Sequence, residues 1–230
     1  MSLHIQTFKD SDELTAQFAR QIADILEQNV KQYGQASLIV SGGRTPVALF
    51  ETLSTMALPW DSIIVSLADE RWVNADDEAS NEKLVRTHLL KDNAAAAQFV
   101  PLKTDHDDAK DAVQTLSQNQ QLLGAPFDVL ILGMGEDGHT ASLFPCSEQV
   151  QAGLDMNSGQ RYIAVQPTTA PHQRMSLTLP ALLNSRHIFL HLTGERKREV
   201  LEQALAEGNE VAKPIVAVVQ RSDVELMWAP

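Results

Sequence analysis

Residues 36–46 read Ala36-Ser37-Leu38-Ile39-Val40-Ser41-Gly42-Gly43-Arg44-Thr45-Pro46. A short apolar run stops at two glycines. A residue suited to capping and a proline suited to a first helical turn follow, so a buried strand turns directly into a helix. The same grammar recurs on either side. Upstream, Ser11 to Tyr33 carries Leu14, Phe18, Ile22, Ile25, Leu26 and Val30 every three or four residues. That spacing predicts a helix that Ser11 or Asp12 can cap. Downstream, Ser62 to Ala68 is a second run ending in Asp69-Glu70-Arg71, and Ser80 to Leu90 reads as helix. The polar stretch Lys103 to Gln121 keeps Ala109, Ala112, Val113 and Leu116 at near-helical spacing, and Phe127 to Leu132 is a third buried strand ending at Gly133. Tyr162 to Val165 and His187 to Leu192 read as strands, and Glu195 to Ala206 as helix. The apolar runs Ile215 to Val219 and Val224 to Trp228 close the chain. Strands that alternate with helices need crossover connections. The expectation is therefore a single-domain, Rossmann-like α/β fold over residues 1–230, its mostly parallel sheet covered by helices on both faces. In such sheets ligands bind beyond the carboxyl ends of the strands.

The chain of 230 residues is 43% hydrophobic and 21% charged, too apolar for a disordered chain. No run of about 18 apolar residues predicts a membrane span, and no basic region followed by an apolar core predicts a secretory signal. The single cysteine, Cys146, can form neither an internal disulfide nor a thiolate zinc site. A soluble cytoplasmic protein is expected. The net charge of −12 opposes nucleic-acid binding. It also opposes anionic substrates, so a phosphate site would need a local basic cluster.

Four clusters can carry chemistry. The Gly42-Gly43 turn lets backbone amides approach an anion, with Thr45 able to cap the next helix and donate its hydroxyl. It is neither a Walker loop nor a dinucleotide fingerprint. Asp69-Glu70-Arg71 follows a strand, where Arg71 can fork onto a phosphate or carboxylate. Residues 133–145 read Gly133-Met134-Gly135-Glu136-Asp137-Gly138-His139-Thr140-Ala141-Ser142-Leu143-Phe144-Pro145. His139 has the titration range for general acid–base work, and a nearby carboxylate can fix its tautomer. His139 lacks a partner histidine at helical spacing, so no metal site is expected. No Gly-x-Ser-x-Gly elbow marks a serine hydrolase, and Ser142 is expected to begin or line the following helix. Arg174 and Lys197 matter only if the fold brings them to the glycine loop. Trp60, Trp228, His187 and His191 read as structural.

These clusters, in this order, resemble the 6-phosphogluconolactonase family, within the larger group that includes glucosamine-6-phosphate deaminases. The matching segments are Ser41 to Pro46, Asp69 to Arg71 with Ser80-Asn81, Gly133 to Pro145, Arg174 to Thr178, and Gly194 to Lys197. One departure is Arg44, where the family often carries serine. The resemblance implies hydrolysis of 6-phospho-D-glucono-1,5-lactone to 6-phosphogluconate, the second step of the oxidative pentose phosphate pathway. On that reading His139 is the base and then the acid, with Asp137, Asp69 or both orienting it. Gly42, Gly43, Arg44, Thr45, Arg71, Arg174 and Lys197 bind the substrate, and no cofactor or metal is required. The partner is a small phosphorylated sugar lactone, with no nucleic acid or membrane, and a monomer is favoured. A deaminase on the same fold would carry Asp-Glu-Tyr at positions 69–71 and would lack the Ala141-Ser142-Leu143-Phe144 continuation. A non-catalytic sugar-phosphate sensor would have no reason to keep the His139 loop.

Overall fold

A computed structural model describes residues 2–119 and 126–230; the end of the polar stretch at residues 120–121 lies outside them. In chain order the elements are β1 (Leu3–Thr7), α1 (Ser11–Tyr33), β2 (Ala36–Val40), α2 (Val47–Ser54), β3 (Ile63–Leu67), β4 (Asp69–Arg71), α3 (Asn81–His88), β5 (Gln98–Val100) and α4 (Ala109–Ser117). They continue with β6 (Phe127–Leu132), α5 (Val150–Leu154), β7 (Tyr162–Val165), β8 (Arg174–Leu177), α6 (Leu179–Leu183), β9 (Ser185–Thr193), α7 (Glu195–Glu207), α8 (Ile215–Arg221) and β10 (Val224–Ala229).

Seven strands form one sheet in the order β1-β10-β9-β6-β2-β3-β5, and every adjacent pair is parallel. Successive strand residues point to opposite faces, and all six residues of β6 are buried. Both faces of the sheet are therefore covered at its centre, as the α/β reading requires. The one acidic residue of that strand, Asp128, is satisfied: it accepts from the Ser37 N–H (2.8 Å) and pairs with Arg186 Nε (3.2 Å). Helix α1 buries Leu14, Phe18, Ile22 and Leu26 against β2, β6 and β10. Its cap is Asp10 rather than Ser11 or Asp12, the Asp10 carboxylate accepting from the Glu13 N–H at 2.9 Å. Gly34, in the left-handed region at φ 82°, ends it.

From β2 the chain steps outward to β3 and β5, then returns to β6 on the other side of β2 and moves on to β9 and β10. The loops after β2 and β6 thus leave in opposite directions, which opens a crevice at the carboxyl ends of neighbouring strands.

A second sheet was not expected. β4, β8 and β7 pair antiparallel in the order β4-β8-β7. Asp69-Glu70-Arg71 is therefore not a loop beyond a strand end but a strand itself, paired with Arg174 to Ser176. Three consecutive charged residues carry no strand periodicity, and their partner lies about a hundred residues away, so only the tertiary pairing makes this strand. Met175 and Leu177 join the same hydrophobic cluster as Leu38 and Ile131, which ties the small sheet to the large one. The run Ile215 to Val219 is the buried start of α8.

Candidate active site

The loop after β6 is wound tightly by its glycines. Gly138, at φ 82°, donates to the Gly135 carbonyl (3.0 Å), Gly135 N–H to the His139 carbonyl (3.0 Å), and Thr140 Oγ1 to the Gly133 carbonyl (2.9 Å). The His139 ring lies against Gly135 so closely that a methyl group there would overlap Nδ1 and Cε1. Phe144 stacks on the ring, centroids 4.1 Å apart and planes 26° off parallel. Asp137 Oδ1 sits 2.5 Å from His139 Nδ1 and also accepts the His139 N–H at 3.1 Å. Burial pushes the Asp137 carboxyl up, but the His139 hydrogen bond and charge outweigh it and hold it below the usual range. An ionised carboxylate only accepts, so Nδ1 carries the hydrogen and Nε2 keeps a lone pair. The ring is thus oriented by contacts within its own loop.

Asp69 plays a different part. Its Oδ2 accepts from Ser142 Oγ at 2.6 Å, and its carbonyl accepts from Asn81 Nδ2 at 2.8 Å. Ser142 is fully buried, and its N–H donates to Ser176 Oγ (3.1 Å). It starts no helix, since α5 begins at Val150; it sits in the turn closed by the Leu143 N–H to Thr140 carbonyl bond (3.0 Å). That turn holds Ala141 at φ 46°, a strained conformation for a residue with a Cβ.

The loop after β2 forms the facing wall. Gly42 is held against the Asn81 carboxamide so closely that any side chain at 42 would overlap it, and Gly43 is left-handed at φ 98°. Thr45 forms no side-chain cap to α2; Pro46 occupies the cap position.

Arg71 and Arg174 are register partners across β4 and β8, so two guanidinium groups stand side by side. Arg71 Nη1 donates to the Ala79 carbonyl (2.6 Å) and Arg174 Nη2 to the Pro171 carbonyl (3.2 Å), while the buried Nε of each has no partner. Arg174 is 7% exposed and lies over the Phe144 ring at 5.6 Å. Burial, then the Arg71 charge, push its pKa below the ordinary value, against the pull of Asp69 and Glu70. Glu70 is spoken for: its carboxylate accepts from the N–H groups of Arg71 (2.6 Å), Asn81 (2.8 Å) and Glu82 (2.8 Å), capping α3. Burial pushes the Glu70 carboxyl up against those bonds. Lys197, in the first turn of α7, is lowered by burial, with Glu136 opposing. Among the described residues, Arg44, Arg71, Arg174 and Lys197 have no carboxylate in ion-pair contact, whereas Arg86, Arg186, Arg198 and Arg221 each have one.

These groups surround a cavity of about 220 Å³. His139, Asp69, Gly42, Gly43, Arg44, Thr45, Arg71, Arg174 and Lys197 line it, and Asp137 stands behind His139. Asn81 and His191 line it too and were not foreseen as site residues. Asn81 left a trace in the Ser80-Asn81 pair; His191, read as structural, left none. Six buried side-chain atoms among the described residues lack a hydrogen-bond partner. Five belong to this lining: Ser41 Oγ, Arg71 Nε, Asn81 Oδ1, Arg174 Nε and His191 Nδ1. Buried polar groups are normally paired, so this concentration marks a binding surface. An imidazole oriented by a carboxylate, lining one cavity with cations that have no carboxylate in ion-pair contact among the described residues, suits proton transfer on an anionic ligand.

Comparison with known proteins identifies the family. A family model described as glucosamine-6-phosphate isomerases/6-phosphogluconolactonase matches residues 9–228. A 6-phosphogluconolactonase of Rhizobium meliloti (strain 1021) is 39% identical over 232 residues, covering 100% of both chains. One from Neisseria meningitidis serogroup B is 40% identical over 223 residues and 94% of each chain. The crystal structure of a 6-phosphogluconolactonase from Shewanella baltica OS155 superposes with a TM-score of 0.95 at 43% identity, covering 100% of this chain and 98% of that one. A monomeric glucosamine-6-phosphate deaminase superposes with a TM-score of 0.79 at 20% identity, covering 98% and 96%, and shares the fold.

Proposed function

Because the chain belongs to the glucosamine-6-phosphate isomerase/6-phosphogluconolactonase family, we propose that it hydrolyses 6-phospho-D-glucono-1,5-lactone to 6-phosphogluconate in the cytoplasm, at the second step of the oxidative pentose phosphate pathway. One observation carries the reading: the Asp137–His139 pair leaves the Nε2 lone pair free beside a cavity whose four cations, among the described residues, have no carboxylate in ion-pair contact.

The lactone phosphate is held by Arg71, Arg174 and Lys197 with the Gly42-Gly43 amides, which places the ring ester near His139. Water attacks C1 as Nε2 takes one of its protons. The resulting imidazolium is stabilised by the Asp137 carboxylate. The tetrahedral intermediate collapses by breaking the bond from C1 to the ring oxygen. That oxygen leaves as the C5 hydroxyl, receiving the proton from Nε2, and the free acid then ionises. The net reaction is lactone plus water to carboxylate plus one proton, with no redox change. Asp69, fixed by Ser142, faces the same cavity and orders the substrate hydroxyls.

The test is proton release with freshly made 6-phosphogluconolactone, corrected for spontaneous hydrolysis, beside an ammonia-release assay with glucosamine 6-phosphate. Accelerated proton release without ammonia supports the reading. Ammonia release without lactone hydrolysis would replace it with a deaminase.

A further inference from the structure

His191 sits on β9 and is 4% exposed. Its ring packs edge-on against Phe18, centroids 5.4 Å apart, above the apolar core. Neither ring nitrogen has a hydrogen-bond partner among the described residues, and Nδ1 is fully buried. A histidine kept for packing alone would be better replaced by a phenylalanine or leucine, because a buried polar atom left unpaired costs its full desolvation. Burial and then the Lys197 charge push the imidazole down to about 4, so the ring is neutral at physiological pH. A neutral imidazole offers one N–H and one lone pair.

His191 lines the cavity already described and also a second one of about 300 Å³, lined by Ser11, Thr15, Arg44, Thr45, Ala48 and Thr193. Arg44, Thr45 and His191 are common to both and form the partition between them. With Lys197 beside it, the partition presents two cations, a hydroxyl and an imidazole to the same space, and no carboxylate pairs with either cation among the described residues. A set so rich in donors suits an oxyanion with several acceptor oxygens.

We propose that His191 is a substrate-binding residue that donates its ring N–H to the phosphate of the sugar-lactone phosphate, at the partition formed with Arg44 and Thr45. This rests on the proposed function and deepens it. Arg44 then supplies a charge at the mouth of the phosphate pocket, and the second cavity gives the outer phosphate oxygens room for water.

Three measurements on purified protein test it: steady-state kinetics with phosphorylated and unphosphorylated gluconolactone, thermal unfolding without ligand, and thermal unfolding with inorganic phosphate. His191→Phe is expected to raise KM for the phosphorylated lactone about tenfold, with kcat changed by less than about threefold, as loss of uniform binding predicts. The loss on the unphosphorylated lactone should be several-fold smaller. The ligand-free unfolding midpoint should rise, and the shift on adding phosphate should shrink. His191→Gln, which restores an N–H donor, should recover part of the affinity. An unchanged KM, or a lowered midpoint with unchanged KM, overturns the proposal. If His191→Phe does not fold, His191→Leu, which also lacks a donor, serves the same comparison. Wild-type protein inert toward the phosphorylated lactone would sink the functional reading, while the phosphate shift still decides the His191 contact.

Discussion

The two walls of the cavity solve opposite problems. The His139 loop satisfies itself: Asp137 holds Nδ1, Phe144 holds the ring plane, and Gly135, Gly138 and Thr140 close the backbone. The opposite wall is left unsatisfied. Arg71 and Arg174 stand beside each other with buried, unpartnered Nε atoms, and the nearest carboxylates are engaged elsewhere. The first wall is held by its own bonds; the second leaves buried donors without a protein partner, which on the proposed function would meet the substrate phosphate. A charged group buried without a counter-ion is costly to the fold, so its retention points to a ligand.

Mutations can break that contrast. The largest effect is expected at the self-satisfied wall. His139→Ala should lower kcat by about 10²-fold or more with KM nearly unchanged, and full turnover would remove the imidazole from the mechanism. Gly135→Ala should lower kcat about tenfold or more by displacing the ring it supports, with the circular dichroism spectrum unchanged; undiminished kcat would mean the ring is not held there. At the receiving wall, Arg174→Met should weaken binding of phosphorylated lactone about tenfold while the ligand-free protein stays as stable or becomes more so. Arg186→Met is the control, because it breaks the pair with Asp128 and should lower the unfolding midpoint. If both variants lose stability alike, the receiving wall is not strained.

The pH dependence of stability sharpens the same point. His191 is held at about 4 in the fold against an ordinary value of 6.5. Below pH 6.5 the unfolded chain takes up a proton that the folded chain refuses, so stability falls as pH drops from about 6.5 toward 4, by roughly 3 kcal/mol at most. Denaturant titrations across that range should show the slope, and His191→Phe should flatten it. The smallest effect expected is none: exhaustive chelation should leave lactone hydrolysis unchanged, and loss with recovery on adding a metal would overturn the metal-free reading.

Much of this was legible from the chain. β2, β6 and β9 are apolar runs too short for helices, and each gives way to glycine-bearing sequence. The Asp137-Gly138-His139 unit needs only local chain to bring the carboxylate to the ring. The pairing of β4 with β8 was not legible, because Asp69-Glu70-Arg71 has no alternation and meets its partner across a long stretch of intervening chain. That His191 lines the cavity was not legible, because in sequence a histidine among apolar strand residues looks the same whether its nitrogens are paired or bare.

The sequence by itself determined the parallel α/β core and the chemistry of the histidine loop. Both depend on contacts within a few residues, or on periodicity that every homogeneous strand or helix repeats. Only the tertiary structure decided that Arg71 stands beside Arg174, that Asn81 closes on Gly42, and that His191 looks into the cavity without a partner. Those are statements about which distant groups meet and which do not, and absence of a partner is a property of three-dimensional packing that no local pattern encodes.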